Sequence, residues 1–272
     1  MTTHLTTEPG NMTDVIEMFI KDAIDAYPAV GGVLSSAGIG CVTCSIGTCK
    51  IKEVVSIHNL NSDQEQALFS GIAAVIFPGQ TPSLPRTTQK AIPSTTRALS
   101  PPLQALVDEH TNIKRVLARL PGLSARIQIG LDKDTRQTIL EVVNFIRQYA
   151  DTFHHAKEED ILFKYFDTSP VLTVMLNEHE TGRRHVQNAL AALERNDIPG
   201  ILEALTAYGL LLTEHIRKED EILYPWMNRE LTDSQVGQLF SKFNAVNEQF
   251  KTRVEQNLAL VAKLEKAAEQ RS

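Results

Sequence analysis

The chain has 272 residues, of which 42% are hydrophobic and 22% charged, with a formal net charge of −6. That is an ordinary soluble composition with length for about two domains. The mild acidity gives no support for nucleic-acid binding, which shows as a basic patch or stripe, and no apolar run approaches the roughly 18 residues of a membrane span. The opening MTTHLTTEPGNMTDV has neither the basic start nor the apolar stretch of a signal peptide, so the expected location is cytoplasmic.

Residues 1–12 read as a loose tail, and residues 13–77 as a small helical domain. Val15, Ile16, Phe19, Ile20, Ala23 and Ile24 recur at helical spacing, and Pro28 suits the first turn of a second short helix. The segment GIGCVTCSIGTC, from Gly38 to Cys49, is too glycine-rich to be other than mostly loop. Two helices are expected next, near Ile51–His58 and Ser62–Phe77, the latter capped by Ser62 and Asp63. Residues 78–100 carry three prolines after Pro78 among many serines and threonines and read as a linker.

Residues 101–230 contain four helical stretches, near Pro101–Leu120, Asp134–Phe166, Pro170–Asn196 and Pro199–Arg229. Short connections make them antiparallel neighbours in an up-and-down bundle. Residues 231–272 form a fifth, more polar helix with a sparse apolar stripe, which could pack on the bundle, the small domain or another subunit. The expected fold class is therefore all-α.

Six of the eight histidines fall between residues 110 and 215. Positions four apart on a helix differ by only about 40°. His110 shares the stripe of Leu103, Leu106, Val107 and Leu117; His179 falls among Leu172, Leu176, Val186 and Leu190; His215 and Glu219 continue the stripe of Ile201, Leu205, Tyr208 and Leu212. The segment HHAKEE offers two His-x-x-x-Glu pairs. On a wheel of 100° per residue, His154 lies roughly 50° from the centre of its apolar stripe and His155 roughly 150° away. That places His154 with Glu158 inside, and His155 with Glu159 outside. Lys157 also falls beneath the stripe, so the helix must precess or the lysine must snorkel. Four imidazoles and two carboxylates in one core would carry a severe desolvation cost without a metal. His185, His58 and His4 are not expected to join them.

The segments EHTNIKRVL, HHAKEEDILF, NEHETGRRH and EHIRKEDEILYP resemble the four helical motifs of the hemerythrin-like, cation-binding HHE family over about residues 101–230. The resemblance implies six metal ligands: His110, His154, Glu158, His179, His215 and Glu219. It also implies two iron ions bridged by the carboxylates and capped by the histidines. The donor types alone suit iron, zinc, copper or manganese. Oxygen carriers of this family place a further histidine four residues after the one on the third helix. Here that residue is Arg183, which is no normal ligand. The resemblance then shifts toward four-histidine di-iron proteins of nitric-oxide stress and iron–sulfur cluster repair, with open positions for dioxygen, nitric oxide or peroxide. Tyr208, about two turns before His215, is a candidate neighbour of the site.

The segment YPAVGGVLSSAGIGCVTCSIGTC resembles a small cysteine-containing domain often fused to such bundles. Cys41 and Cys44, in C-x-x-C spacing, are candidates for redox or metal chemistry, with Cys49 as a resolving thiol. The sequence thus points to a non-haem di-iron protein of redox or nitrosative stress or cluster repair. Its expected partners are a small oxidant and a client protein, with homodimer formation open. The rival readings are a non-enzymatic oxygen or nitric-oxide sensor and a metal store.

Overall fold

The computed structural model describes residues 9–39, 49–86, 98–167 and 169–269. The chain divides into two compact units, Met1–Arg97 and Ala98–Ser272.

The first unit contains α1 (Met12–Ile16), α2 (Ile20–Ala26), α3 (Ala29–Ser36), α4 (Ile51–Ile57) and α5 (Ser62–Ile76). Met12, assigned to the tail by sequence, is helical and buried. The continuous helix suggested by the spacing from Val15 to Ile24 is broken, because the backbone at the break finds other partners. Phe19 pairs with Lys50 in an isolated antiparallel bridge. The Ile20 N–H donates to the Cys49 carbonyl at 2.9 Å, and the Ile51 N–H to the Met18 carbonyl at 3.1 Å. The cap of α5 is Asn61, whose side chain accepts from the N–H groups of Asp63 and Gln64, one residue before the expected cap. Cys49 is buried. Cys41 and Cys44 lie outside the described residues.

Helices α3 and α5 approach closely at Gly71, where an added Cβ would stand 2.7 Å from Val33 Cγ1. Gly71→Ala should therefore destabilise the full-length protein by about 1–3 kcal/mol, read as a shifted first transition in chemical denaturation. An unchanged transition would show that Val33 yields without strain.

The second unit is the bundle. α6 (Pro101–Leu117) is followed by α7 (Leu120–Ile129), α8 (Lys133–Phe145), α9 (Val171–Glu194), α10 (Ile198–Lys218), α11 (Tyr224–Glu230) and α12 (Asp233–Glu269). α7 was not expected. Pro121 falls in its first turn, where the missing N–H costs nothing, so the proline opens a helix there. Asp132 caps α8 by accepting from the Thr135 N–H at 2.6 Å, and Asp197 caps α10 by accepting from the Gly200 N–H at 3.0 Å.

Two of the bundle helices change geometry midway. α8 runs on into π-helical turns over Ile146–His155 and Glu158–Leu162, and α10 into a π-helical turn over Glu219–Leu223. Such turns are rare and concentrate at functional sites. α12 lies along the bundle. Phe250 packs on Phe153 with ring centroids 6.0 Å apart, Arg115 forks onto Glu265 at 2.8 and 2.6 Å, and Lys263 pairs with Glu141 at 2.6 Å. No described helix is long and apolar enough to cross a membrane.

Candidate metal centre

The π-helical turns decide which side chains face inward. Each closes an i→i+5 hydrogen bond in place of the α-helical i→i+4, so successive residues rotate by less than 100°. His154 and His155 both fall on the inner face as a result. His155, placed outside by the ideal wheel, is only 6% exposed. Its ring stacks on His179 at 3.9 Å and stands edge-on to His215 at 5.9 Å. The expectation that His155 points outward is thus overturned by the local change of helical pitch.

Two groups of potential ligands result. One holds His155, Glu158, His179 and His215, and the other His110, His154 and Glu219; within each, one donor atom per residue lies within 4.8 Å of the rest. All seven residues are buried. The two glutamates span the groups. Glu219 places Oε1 3.0 Å from His215 Nε2 and Oε2 3.3 Å from His110 Nε2. Glu158 Oε2 lies 3.5 Å from His179 Nε2 and 3.7 Å from His154 Nε2. Tyr224 donates its hydroxyl to Glu158 Oε1 and stacks on His110 at 5.7 Å. His185 belongs to neither group.

Behind the imidazoles runs a closed ring of carboxylates, each reaching from one helix to the histidine of the next. Glu109 on α6 meets His154 Nδ1 at 2.9 Å. Glu159, in the second π stretch after α8, meets His179 Nδ1 on α9 at 2.7 Å. Glu178 on α9 meets His215 Nδ1 on α10 at 2.9 Å, and Asp220, just beyond α10, returns to His110 Nδ1 on α6 at 2.7 Å. With Nδ1 held by a carboxylate, each ring turns Nε2 toward the centre. Every one of these carboxylates also has a cation. Lys157 pairs with Glu109, Arg183 with Glu159 at 2.6 Å, Lys218 with Glu178, and Lys114 with Asp220 at 2.6 Å. Arg183 also reaches Asp151 at 2.8 Å, and Asp151 Oδ1 lies 3.7 Å from His155 Nδ1. Arg183 therefore steadies the supports of two histidines.

Removing one link of the ring has a measurable consequence. Asp220→Asn or Glu178→Gln should weaken metal binding about 10–100-fold, read by competition with a chelator. Parental affinity in both variants would show that the ring does not tune the ligands.

The inner atoms fit a metal and little else. His110 Nε2, His154 Nε2, Glu158 Oε2 and both carboxylate oxygens of Glu219 are buried without a hydrogen-bond partner among the described residues. His179 Nε2 and His215 Nε2 face each other at 2.9 Å. So many unsatisfied lone pairs in one core are costly unless a cation takes them. Burial and then the charge of Glu219 push the Glu158 carboxyl well above the usual carboxylate range. Burial opposes ionisation of Glu219 too, but His215 and His110 together outweigh it and hold that carboxyl well below the usual range. His215 resists its own burial through Glu219 and Glu178 and is pushed up to about 9. A ligand must be deprotonated to bind a metal, so protons and cations compete for these same atoms.

The helical motifs and this geometry agree with the family comparison. Residues 102–227 match the family model described as the hemerythrin HHE cation binding domain. That segment has the hemerythrin fold, and its histidine and glutamate clusters could hold metal ions. No curated protein and no solved structure matches the chain.

Sequence reasoning missed His155 and the carboxylate ring. Glu109 and Glu178 directly precede His110 and His179, a visible signal, yet each serves a histidine on the neighbouring helix. Tyr208 makes no hydrogen bond to any of the seven residues; its hydroxyl is buried without a partner among the described residues.

Proposed function

We propose that residues 101–230 hold two iron ions in a non-haem centre that reacts with a small oxidant such as dioxygen, nitric oxide or peroxide. The observation that carries this reading is the pair of ligand groups spanned by Glu158 and Glu219. His155, His179 and His215 would cap one ion, and His110 and His154 the other, with the two glutamates bridging. Bound there, an iron pair would supply two electrons and positions for a small ligand. The chain's own part is to fix and aim the imidazoles, through the carboxylate ring, and to exclude bulk water from all seven donors.

His155 changes the balance between family functions. Arg183 by itself favours the four-histidine arrangement and cluster repair. A fifth imidazole from the second helix brings the donor set to the size of an oxygen carrier's, so reversible oxygen or nitric-oxide binding is the second reading. Metal analysis with optical and Mössbauer spectra tests the centre. Two irons per chain, changing oxidation state with oxidant, support the reading; a well-occupied non-redox metal with no iron restored on reconstitution overturns it. Turnover of peroxide or nitric oxide favours the reactive reading, and reversible spectral change without turnover the binding one.

His155→Ala tests the fifth ligand. It should lower affinity for one metal by at least about tenfold, while His185→Ala leaves both in place. Parental affinity for both metals in His155→Ala would restore the six-ligand set.

A further inference from the structure

Beside the metal centre lies a cavity of about 330 Å³, bounded by the π-helical continuation of α8 and by α9 and α10. One water occupies about 30 Å³ of liquid, so the space is roughly tenfold larger and at the lower end of the 300–1,000 Å³ typical of small-molecule sites. A diatomic gas needs no such room. Ile146, Val186, Leu190 and Leu212 give it apolar walls, and the buried rings of His155 and His179 also line it.

The charged groups around the cavity are mostly satisfied. Asp151 is paired with Arg183, and Glu178 with His215 and Lys218. Two groups are left over. Arg147 is exposed, and its guanidinium has no carboxylate within ion-pair distance among the described residues. Tyr208 is 3% exposed, and its hydroxyl has no hydrogen-bond partner among the described residues. One cavity thus carries an exposed cation and a buried hydroxyl, neither committed to a described partner, among apolar walls.

We propose that this cavity binds a small organic acid with its carboxylate on Arg147, its hydrocarbon body between the apolar walls, and a second oxygen function at the Tyr208 hydroxyl beside His155 and His179. The ligand thereby lies against the metal centre without requiring a particular metal there. This goes beyond the assignment of the centre to iron and small oxidants, and rests only on the walls and the two uncommitted groups.

The test is calorimetric titration of the full-length, metal-containing protein with 6-hydroxyhexanoate, hexanoate, hexanol and acetate. One site per chain is expected, binding 6-hydroxyhexanoate most tightly, hexanoate next, and hexanol and acetate more weakly than either. Arg147→Gln should erase the preference for the acid over the alcohol. Tyr208→Phe should weaken the hydroxy acid about two- to tenfold, the range of one hydrogen bond, and leave hexanoate unchanged. Leu190→Trp should block all of them. Acetate binding as tightly as hexanoate, hexanol matching hexanoate, or parental binding by both Arg147→Gln and Tyr208→Phe would overturn the proposal. Metal content measured on the same samples separates that failure from failure of the metal assignment, because neither residue is a candidate ligand.

Discussion

Glu219→Ala is expected to remove both metals, reducing a content of two per chain to less than one. Glu219 is fully buried, and its two oxygens address imidazoles of different groups, His215 on one side and His110 on the other. On the proposed two-ion reading, loss of a capping histidine would weaken one ion, whereas loss of this carboxylate would remove a donor from each. It would also remove the negative charge that two cations held so close in a low-dielectric core would need, because like-charge repulsion there is strong. Glu158→Ala should act in the same way, because Glu158 also spans the groups. Elemental analysis after gel filtration is the readout, with circular dichroism confirming that the helices remain. Two metals retained in Glu219→Ala would show that the carboxylate does not bridge.

Lys157→Met should cost about 3–5 kcal/mol of stability, the cost of leaving one partner of a buried ion pair uncompensated. Lys157 does not snorkel. It is wholly buried, pairs with Glu109, reaches Asn247 of α12 at 3.3 Å, and lies 3.9 Å above the Phe153 ring. Burial pulls the lysine down from its ordinary range despite Glu109, and pushes Glu109 up despite Lys157. Desolvation therefore weighs more than pairing on both groups, and the pair persists because each member needs the other. Methionine keeps the stem over Phe153 but leaves Glu109 without its cation, with only His154 Nδ1 against it. Adding Glu109→Gln should recover much of the loss, since the unpaired charge is then gone, and the double-mutant cycle measures the coupling. Urea denaturation is the readout. A loss below about 1 kcal/mol in Lys157→Met would mean that water reaches Glu109.

The same pair explains part of what helical spacing can and cannot reveal. An ideal wheel correctly puts Lys157 beneath the apolar stripe, but its neutralising partner lies 48 residues earlier, on α6. The wheel fails two residues away, at His155, because it assumes a constant 100° per residue. Whether that stretch winds as a π-helix depends on what the widened turn packs against. His155 finds His179 and His215 there, and those residues belong to other helices. Arg183 is a related case. Its position argues only that a histidine is absent, whereas the folded chain shows it holding Asp151 and Glu159 together.

The sequence by itself determined the all-helical class, the four amphipathic bundle helices, and the inward stripe on which His110, His154, Glu158, His179, His215 and Glu219 lie. These follow from local periodicity, which the chain carries residue by residue. Only the tertiary structure decided that His155 joins them, that each carboxylate of the ring serves the next helix, and that α12 lies on the bundle. Those features depend on contacts between helices far apart in sequence, and on a change of helical pitch that becomes favourable only when such contacts exist.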